Sequence, residues 1–582
     1  MADDAATGGR PAAPAAPARG FAAVFLPARW LSGYRLAWLP KDAIAGLTLA
    51  AYGIPVSLAY ATLAGLPPHH GIYGYLFGGL GYALFGSSRQ LAVGPTSAIS
   101  MIVGTTVAGL SGGDPERVLQ IAALTAAVVA ALSVLAWLFR LSSLVAFISE
   151  TILLGFKAGA ALVIAMTQLP KLFGVPGGGE NFFGRAWILA GQLGDTQFAV
   201  LGFGLAALAL LLLGEKLLPG RPIALVVVIL SIVAVAATPL GAIGLKTVGA
   251  IPGGLPALHW PELRLREVDG VVPLAFACFL LAYIEGVSAA RALAERHGQS
   301  IDARQELLGL GAANALAAVG QAYPIAGGLS QSSVNDKAGA RTPLALVFAS
   351  VAIAAVLLFL TGLLADLPSV VLAAIVLVAV KGLIKVADLR RLWRVSRFEF
   401  GVAAVAFAGV LVQGILRGVI LAAIVSLLLL IRRASRPHVA FLGRLPGTRR
   451  YSDLERHPEN ERVPGVLAFR VEASLTYFNF EHVGEAVLER LGAMDPPPRA
   501  VIVDLSTSPY VDLATARAMA RLHDRLSERG IRFRVAEAHA DVRDMLRAVG
   551  LEARVGGIHR TTTLDAVIEE ESAALSDGAA AR

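Results

Sequence analysis

Long apolar runs are the feature of this sequence that most limits its fold. The run from Leu344 to Ala365 has about the twenty apolar residues that an α-helix needs to cross a hydrocarbon layer of roughly 30 Å. Of the 582 residues, 56% are hydrophobic and 16% are charged, and the mean hydropathy of +0.66 exceeds that of soluble globular proteins. The chain is therefore predicted to be a polytopic α-helical membrane protein.

Hydropathy and helix breakers together predict about fourteen transmembrane segments. Arg29, Arg35 and Lys41 precede the first segment, so the positive-inside rule places the N-terminus in the cytoplasm, and an even number of crossings returns the C-terminus there. We expect a multi-pass protein of the inner (plasma) membrane, in contact with its lipids. The predicted segments begin near residues 43, 71, 95, 118, 142, 198, 222, 272, 303, 329, 342, 369, 398 and 417.

Two of these segments are interrupted at matching positions. LAVGPTSAISMIVG (Leu91 to Gly104) and YPIAGGLSQSSVND (Tyr323 to Asp336) each place Gly or Pro and several hydroxyl side chains within apolar sequence. Each break lies about fifty to fifty-five residues after the start of its half of the chain. Because seven segments is an odd number, the second half would be inserted upside down, which predicts a 7+7 inverted repeat with half-helices as segments 3 and 10.

A helix that begins inside a membrane leaves its first N–H groups unpaired and carries a partial positive charge at that end. Two such ends meeting between the halves would form an anion site. The alternative is that the breaks are simple kinks and that the hydroxyls bond back to their own helices. The candidate anion-binding residues are Thr96, Ser97, Ala98, Gly328, Leu329, Ser330, Gln331 and Ser332.

Glu285 lies inside the eighth segment, where an unpaired carboxylate costs about 2.5 to 3.5 kcal/mol or more. We predict that it couples anion movement to a cation, by taking up a proton or by binding Na⁺ together with Ser288 at i+3. The alternative is an acid satisfied by a neighbouring donor. No other metal site and no cofactor is predicted.

Several other residues within the apolar segments are predicted to line the pathway or to have structural roles. Pro55 and Ser57 are candidates for lining the pathway, whereas Tyr52 and Tyr60 are expected to pack or to lie at the membrane interface. A structural role is expected for Glu150 and Lys157, which share one helix face.

The composition changes after Arg436, where VLAFRVE, RAVIVDL and IRFRVAE read as strands separated by helical patterns. This predicts a small α/β domain. The basic residues follow topology rather than forming a patch, so no nucleic-acid partner is expected. The predicted divisions are a disordered cytoplasmic N-terminal arm (1–40), a transmembrane transporter domain (41–433), a linker (434–462), the α/β domain (463–573) and a disordered tail (574–582).

The sequence resembles the SulP anion transporters, the bacterial relatives of animal solute carrier family twenty-six, from about residue 40 to 570. The matching stretches include GIPVSLAYATLAGLPPHHGIYG, SSRQLAVGPTSAISMIVG, IEGVSAARALAERHG and VDLSTSPYVDLATARAM. The resemblance implies core and gate domains that move as an elevator, a substrate site between the helices opening at Thr96 and Ser330, and a cytoplasmic C-terminal STAS domain. It also implies a homodimer, in which the STAS domains contribute contacts or bind a regulatory protein.

Three positions depart from patterns seen in relatives. Many relatives have Arg where this chain has Gln331, so anion binding by helix dipoles alone is expected. Val56 stands where several relatives carry an acid or amide, which leaves Glu285 as the main proton carrier. In VDLATA, Thr515 is a weak candidate for regulatory phosphorylation, but a helix-capping role for Asp512 and Thr515 is favoured.

These observations favour a secondary active transporter of small inorganic anions, sulfate first, by proton or sodium symport. Alternatives are a bicarbonate or dicarboxylate (fumarate-like) symporter, an anion exchanger or an uncoupled anion channel, and a nucleobase transporter of shared architecture. An enzyme is not expected, because no set of nucleophile, base and orienting group emerges.

Overall fold

The computed structural model describes residues 28–112, 114–142, 150–179, 181–218, 221–237, 245–262 and 268–580. Residues 1–27 of the predicted arm, and residues 143–149 at the predicted start of the fifth segment, lie outside the described residues. The chain divides into two compact units with the boundary between Ser426 and Leu427.

The first unit is built of α-helices, the last of which continues past Ser426 into the second unit, and two very short strands. The strands are β1 (Val93–Gly94) and β2 (Ala326–Gly327). In order, the helices are α1 (Leu39–Leu63), α2 (His69–Phe85), α3 (Ser97–Leu110), α4 (Pro115–Leu138), α5 (Glu150–Phe173), α6 (Phe182–Gln192), α7 (Phe198–Leu217), α8 (Ile223–Ala237), α9 (Val268–Arg296), α10 (Ala303–Val319), α11 (Leu329–Lys337), α12 (Leu344–Phe359), α13 (Thr361–Leu364), α14 (Ser369–Lys381), α15 (Val386–Val395), α16 (Arg397–Gln413) and α17 (Ile415–Ser435).

Each predicted segment coincides with one of these helices, while α6, α13 and α15 are short connecting helices that hydropathy did not predict. The half-helices α3 and α11 have 14 and 9 residues. Among the described residues, 6 helical stretches are long and apolar enough to cross a membrane, so the number of crossings stays a prediction. These are Leu36–Leu63, Pro115–Leu138, Thr151–Phe173, Phe198–Leu217, Asp269–Arg296 and Ser369–Val395.

In the first unit, the helix packing of one half of the chain is repeated in the other half. If α1–α5, α7 and α8 correspond in order to α9–α12, α14, α16 and α17, the packing of α1 against α12 is equivalent to that of α9 against α4. The packing of α5 against α16 is likewise equivalent to that of α14 against α7. Corresponding elements also pair with each other, as α2 does with α10 and β1 with β2. This pattern agrees with an inverted repeat.

The same packing separates the helices into two groups. The core group comprises α1–α4 and α9–α12 with β1 and β2, and the gate group comprises α5–α8 and α14–α16. Helices pack extensively within each group, whereas contacts between the groups are fewer and involve mainly α1 with α8 and α14. The interface between the core group and the gate group is therefore sparsely packed.

Buried carboxylates connect distant parts of the core group. Glu306, in the first turn of α10, accepts hydrogen bonds from the Tyr82 hydroxyl at 2.9 Å, from the Ser87 hydroxyl at 2.6 Å and from the Ser88 backbone N–H at 3.1 Å. Asp42 in α1 accepts hydrogen bonds from the Thr342 N–H at 3.0 Å and from its hydroxyl at 2.7 Å. Because a buried charge requires such donors, these contacts fix the turns that precede α3 and α12.

The second unit contains a five-stranded sheet in the order β4-β3-β5-β6-β7. β5, β6 and β7 are parallel, whereas β3 runs antiparallel to both β4 and β5. Its elements are β3 (Val439–Arg444), β4 (Tyr451–Asp453), β5 (Val466–Val471), α18 (Phe480–Gly492), β6 (Ala500–Asp504), α19 (Leu513–Ser527), β7 (Arg532–Ala536), α20 (Ala540–Ala548) and α21 (Leu564–Ala580).

Three of the predicted divisions differ from this arrangement. The described part of the arm 1–40, predicted as disordered, contains short 3₁₀-helices at Arg29–Gly33 and Leu36–Trp38, and α1 begins at Leu39. The Trp30 indole N–H donates to the Ala83 carbonyl at 2.7 Å, a contact that local sequence patterns do not predict.

The segment 434–462, predicted as a linker, contains β3 and β4, which are too short and too turn-rich to stand out in the sequence and acquire partners only from β5. The segment 574–582, predicted as a disordered tail, is helical through Ala580 because it continues α21. The predicted end of the transmembrane domain at residue 433 stays a prediction.

Both faces of the sheet are covered. Val501 and Val503 of β6 belong to a hydrophobic cluster with α18, α19 and α20, whereas Ile502 belongs to a cluster with Leu564 and Ile568 of α21. β6, which lies between β5 and β7, is therefore apolar from Ala500 to Val503, as expected for a parallel strand buried on both sides.

Asn314 of α10 is expected to be important for stability. It is fully buried, donates to the Ile325 carbonyl at 3.1 Å and accepts from the Ile325 N–H at 3.0 Å, just before β2. Substitution Asn314→Leu leaves both backbone groups unpaired, at a cost of about 1 to 3 kcal/mol. The midpoint of thermal unfolding in detergent, followed by tryptophan fluorescence, should fall.

The matched control is Ser133→Ala. Ser133 is equally buried, but its hydroxyl donates only to the Val129 carbonyl of its own helix. Equal unfolding midpoints for the Asn314 and Ser133 variants would contradict the anchoring role.

Candidate functional site

The centre of the first unit is the antiparallel pairing of β1 and β2. Val93 lies opposite Gly327 and Gly94 opposite Ala326, so the two interrupted segments touch directly. A Cβ on Gly94 would lie 2.6 Å from the Tyr75 ring, and one on Gly327 would lie 3.0 Å from the Cα of Gly286. These glycines are required because the backbone approaches its neighbours more closely than a side chain allows.

Polar side chains of α11 hold the two segments together. Gln331 is buried, and its side-chain amide donates to the carbonyls of Ala92 at 3.1 Å and Ala326 at 3.2 Å. The Ser332 hydroxyl accepts from the Ala92 N–H at 2.9 Å and donates to the Gly328 carbonyl at 2.7 Å. These two side chains therefore satisfy backbone groups beside the breaks, which a broken helix in lipid needs.

The N-termini of α3 and α11 open onto the same cavity. Thr96 and Gly328 are the N-cap residues, and within the described structure neither helix start receives a side-chain cap. The Thr96 hydroxyl is buried and has no hydrogen-bond partner among the described residues. The first-turn N–H groups, together with the Thr96 and Ser330 side chains, are available to a ligand.

The cavity has a volume of about 280 Å³ and lies between elements of both helix groups. Its charged lining residues are Lys157 of α5, Glu285 of α9 and Lys385, which precedes α15. The remaining lining residues are Tyr52, Val56, Tyr60, Pro95, Thr96, Ser97, Ser288, Ala289, Ala292, Gly328, Leu329, Ser330, Gln331, Ala379, Gly382 and Leu383.

Lys157 and Glu285 form an ion pair across the cavity. The Lys157 Nζ lies 3.6 Å from the Glu285 Oε1, with 25% and 10% of the two side chains exposed. Ser288 lines the same cavity one helical turn from Glu285, as the i+3 spacing predicts. A structural role was expected for Lys157, yet the structure places its ammonium group in the candidate site.

A second cavity of about 440 Å³ continues from the first. The two share Lys157, Ser288, Leu383 and Lys385, and the second extends to Arg391 of α15. The candidate site thus opens into the second cavity, whose basic lining residues are Lys157, Lys385 and Arg391.

Four of the predicted site residues do not line the cavity with their side chains. Ala98 and Ser332 are buried and do not line the cavity, and Ala98 offers only its backbone N–H in the first turn of α3. Pro55 and Ser57 lie on another face of α1, where the Ser57 hydroxyl donates to the Ile54 carbonyl at 2.9 Å.

The α1 residues that do line the cavity are Tyr52, Val56 and Tyr60. The two tyrosines were expected to pack or to lie at the membrane interface, and Val56 was noted only for the acid or amide that several relatives carry there. Their spacing of four residues was a usable signal, because i, i+4 and i+8 share a helix face. Lys157 also offered a signal, since a lysine within an apolar helix is costly without a partner.

In the second unit, Asp512 caps α19, as predicted. Its carboxylate accepts from the backbone N–H groups of Thr515 at 2.8 Å and Tyr477 at 2.9 Å. Burial acts to raise the pKa of Asp512, but these hydrogen bonds outweigh it and hold the pKa below its ordinary value. Thr515 is fully buried, which does not favour phosphorylation of the folded domain.

Comparison with known proteins identifies both units. A model described as the sulfate permease family matches residues 39–406, and a STAS domain model matches residues 457–565. A Mycobacterium tuberculosis (strain ATCC 25618 / H37Rv) protein named "Probable sulfate transporter" is 34% identical over 539 residues, covering 92% of this chain and 96% of the relative. Chloroplastic sulfate transporter 4.1 of Arabidopsis thaliana is 30% identical over 553 residues, covering 91% and 79%.

Solved structures share the fold. Murine solute carrier 26 family member A9, an anion transporter in the inward-facing state, matches with a TM-score of 0.86 at 23% identity, covering 98% of this chain and 99% of that one. The transmembrane domain of the cyanobacterial bicarbonate transporter BicA matches with a TM-score of 0.59 at 21% identity, covering 68% and 98%. The predicted polytopic helical membrane protein with a C-terminal STAS domain is confirmed, whereas the fourteen crossings stay a prediction. The chain belongs to the sulfate permease family.

Proposed function

We propose that this protein is a secondary active transporter that takes up a small inorganic oxyanion, sulfate first, together with a cation. The observation that carries the proposal is that two uncapped helix N-termini, those of α3 and α11, open onto one cavity. Such ends bind anions through backbone N–H groups and the helix dipole. The sulfate transporters among the relatives support this choice of substrate.

The proposed anion position lies between Thr96 and Ser97 of α3 and Gly328 and Ser330 of α11. Gln331 contributes its backbone N–H there, because its side chain is bound to Ala92 and Ala326. The anion would be held without chemical conversion, in keeping with a family of transporters rather than enzymes. Bicarbonate is the second candidate, since a bicarbonate transporter shares the fold.

Movement of the core group against the gate group is the proposed transport step. The sparse contacts between the groups, and the position of the cavity between them, support an elevator motion that carries α3 and α11 together with the anion. Since the cavity continues toward the basic helix α15, which the positive-inside rule assigns to the cytoplasm, we assign this conformation to the inward-open state. Location in the plasma membrane, cytoplasmic termini and a homodimer belong to the same proposal.

The first test is uptake by the purified protein in liposomes. Labelled sulfate, bicarbonate and fumarate are supplied separately, each under an imposed proton gradient, an imposed sodium gradient or no gradient. We expect sulfate to accumulate above its external concentration only when a cation gradient is present. Accumulation of fumarate or bicarbonate instead of sulfate would reassign the substrate, and electrical currents without gradient-dependent accumulation would indicate a channel.

The second test places a negative charge at the start of α11. Ser330 is exposed to the cavity, and an acidic residue in the first turn of a helix is compatible with folding. Ser330→Asp should weaken sulfate binding at least about hundredfold, since like charges about 4 Å apart repel by roughly 4 kcal/mol near a protein surface.

The matched control is Ser330→Asn, which has nearly the same shape without the charge. Its sulfate KM should change by less than about tenfold, the scale of one neutral hydrogen bond. Equal uptake by the Asp and Asn variants would show that the anion does not bind at this helix end.

A further inference from the structure

We propose that Lys157 supplies the positive charge that binds the anion, and that its ion pair with Glu285 withholds this charge until Glu285 takes up a proton. This inference rests on the proposed function, and it replaces the expectation that helix dipoles act alone. Lys157 binds the substrate, and Glu285 controls whether Lys157 is available to it.

The position of the pair is the first supporting observation. Lys157 belongs to the gate group and Glu285 to the core group. Among the ion pairs of the described residues, this is the one that joins the two groups. Both side chains line the cavity onto which α3 and α11 open. A change in this pair therefore alters the anion site and the contact between the groups at once.

The geometry of the pair is the second observation. The ammonium and the carboxylate attract each other across 3.6 Å, but this separation exceeds the ordinary length of a hydrogen bond. An ammonium group carries three donors, and a quarter of the Lys157 side chain is exposed to the cavity. Lys157 can therefore turn toward an oxyanion without breaking a tight hydrogen bond.

The charge balance gives the order of events. With Glu285 ionised, the pair contributes no net charge, and the carboxylate repels an anion that approaches α3 and α11. A proton taken from water by Glu285 removes the repulsion and leaves Lys157 as an uncompensated cation beside the site. The anion then pairs with Lys157, which offsets one of the two negative charges of sulfate, so one proton and one anion bind together and leave together on the other side.

Other charged groups near Glu285 do not replace Lys157. Across the cavity, α1 contributes the hydroxyls of Tyr52 and Tyr60. Lys385 lies at the rim, where its Nζ is 3.9 Å from the Asp388 Oδ2. The adjoining helix starts of α3 and α11 contribute N–H groups and hydroxyls. Glu306 of α10 lies against a different face of α9. The charged residues of α4, Glu116 and Arg117, are in its first turn.

The same geometry favours a proton over Na⁺ as the coupling cation. A Na⁺ ion held by Glu285 and Ser288 would lie within a few ångströms of the Lys157 ammonium group and be repelled by it. Protonation of Glu285 places no second cation there. The structure thus assigns the coupling to a proton.

The test uses the full-length protein in liposomes with labelled sulfate, at a series of pH values. The variants are Lys157→Met, Lys157→Arg, Glu285→Gln and the double variant Lys157→Met with Glu285→Gln. Lys216→Met serves as a matched lysine control, because Lys216 is exposed in the last turn of α7, away from the cavity. Sulfate affinity is measured in detergent by thermal shift, and proton movement is measured with a pH-sensitive dye inside the liposomes.

The wild-type protein and the Lys216 variant should bind sulfate more tightly as the pH falls and should take up protons with it. Lys157→Met should weaken sulfate binding about tenfold to hundredfold, the range for a lost charged hydrogen bond, and Lys157→Arg should restore most of it. Glu285→Gln, which resembles the protonated acid, should bind sulfate tightly at every pH and exchange it across the membrane without proton-driven accumulation.

Failure of this inference and failure of the proposed function give different results. If wild-type protein neither binds nor takes up sulfate, the proposed substrate is wrong. If it does both, but Lys157→Met keeps wild-type sulfate affinity or Glu285→Gln keeps the pH dependence, the exchange between Lys157 and Glu285 is refuted. The double variant removes both charges and so avoids an unpaired buried carboxylate. At every pH it should bind sulfate as weakly as Lys157→Met does at low pH, where Glu285 is protonated, and binding as tight as that of Glu285→Gln would also refute the inference.

Discussion

The unpaired N–H groups at the starts of α3 and α11 are the constraint on which the rest of the first unit depends. A helix that begins within a membrane must have its exposed backbone groups satisfied, or each one costs several kcal/mol. Here the backbone before each helix is satisfied by the partner segment, through the β1–β2 pairing, while the Gln331 and Ser332 side chains bind the carbonyls and the N–H beside it. Within the part of the chain that the structure describes, no side chain caps the helix starts themselves. Neighbouring backbone groups thus have different roles: those before the helices stabilise the fold, and those at the helix starts are left for a ligand.

The charges of the site are divided in a similar way between the two helix groups. The core group contributes the helix starts and Glu285, and the gate group contributes Lys157 and the rim residue Lys385. An anion in the cavity therefore interacts with both groups, and its presence changes the electrostatic attraction between them. In the elevator motion that we propose, this attraction would link occupancy of the site to the relative motion of the two groups.

Much of this architecture could be predicted from the sequence because its signals are local. Gly94 and Gly327 lie where the backbone approaches its neighbours too closely for a Cβ, and Asp512 occupies the position before α19 from which a carboxylate reaches the first-turn N–H groups. The strands β3 and β4 were missed because short strands owe their existence to a partner. The predicted roles of Ser332 and Ser57 assumed that a polar side chain near a cavity points into it, whereas both bind backbone carbonyls.

By itself, the sequence determined the membrane class, the order of the segments, the two breaks and the α/β character of the C-terminal unit, since apolar length, glycine and proline act on the chain within a few residues of themselves. Only the tertiary structure decided which helix faces meet at the site. Periodicity places Tyr52, Val56 and Tyr60 on one face of α1 but does not say what that face contacts. The approach of Lys157 to Glu285 depends on the packing of α5 and α9, helices from opposite halves of the chain, and the electrostatic attraction between them exists only once that packing has formed.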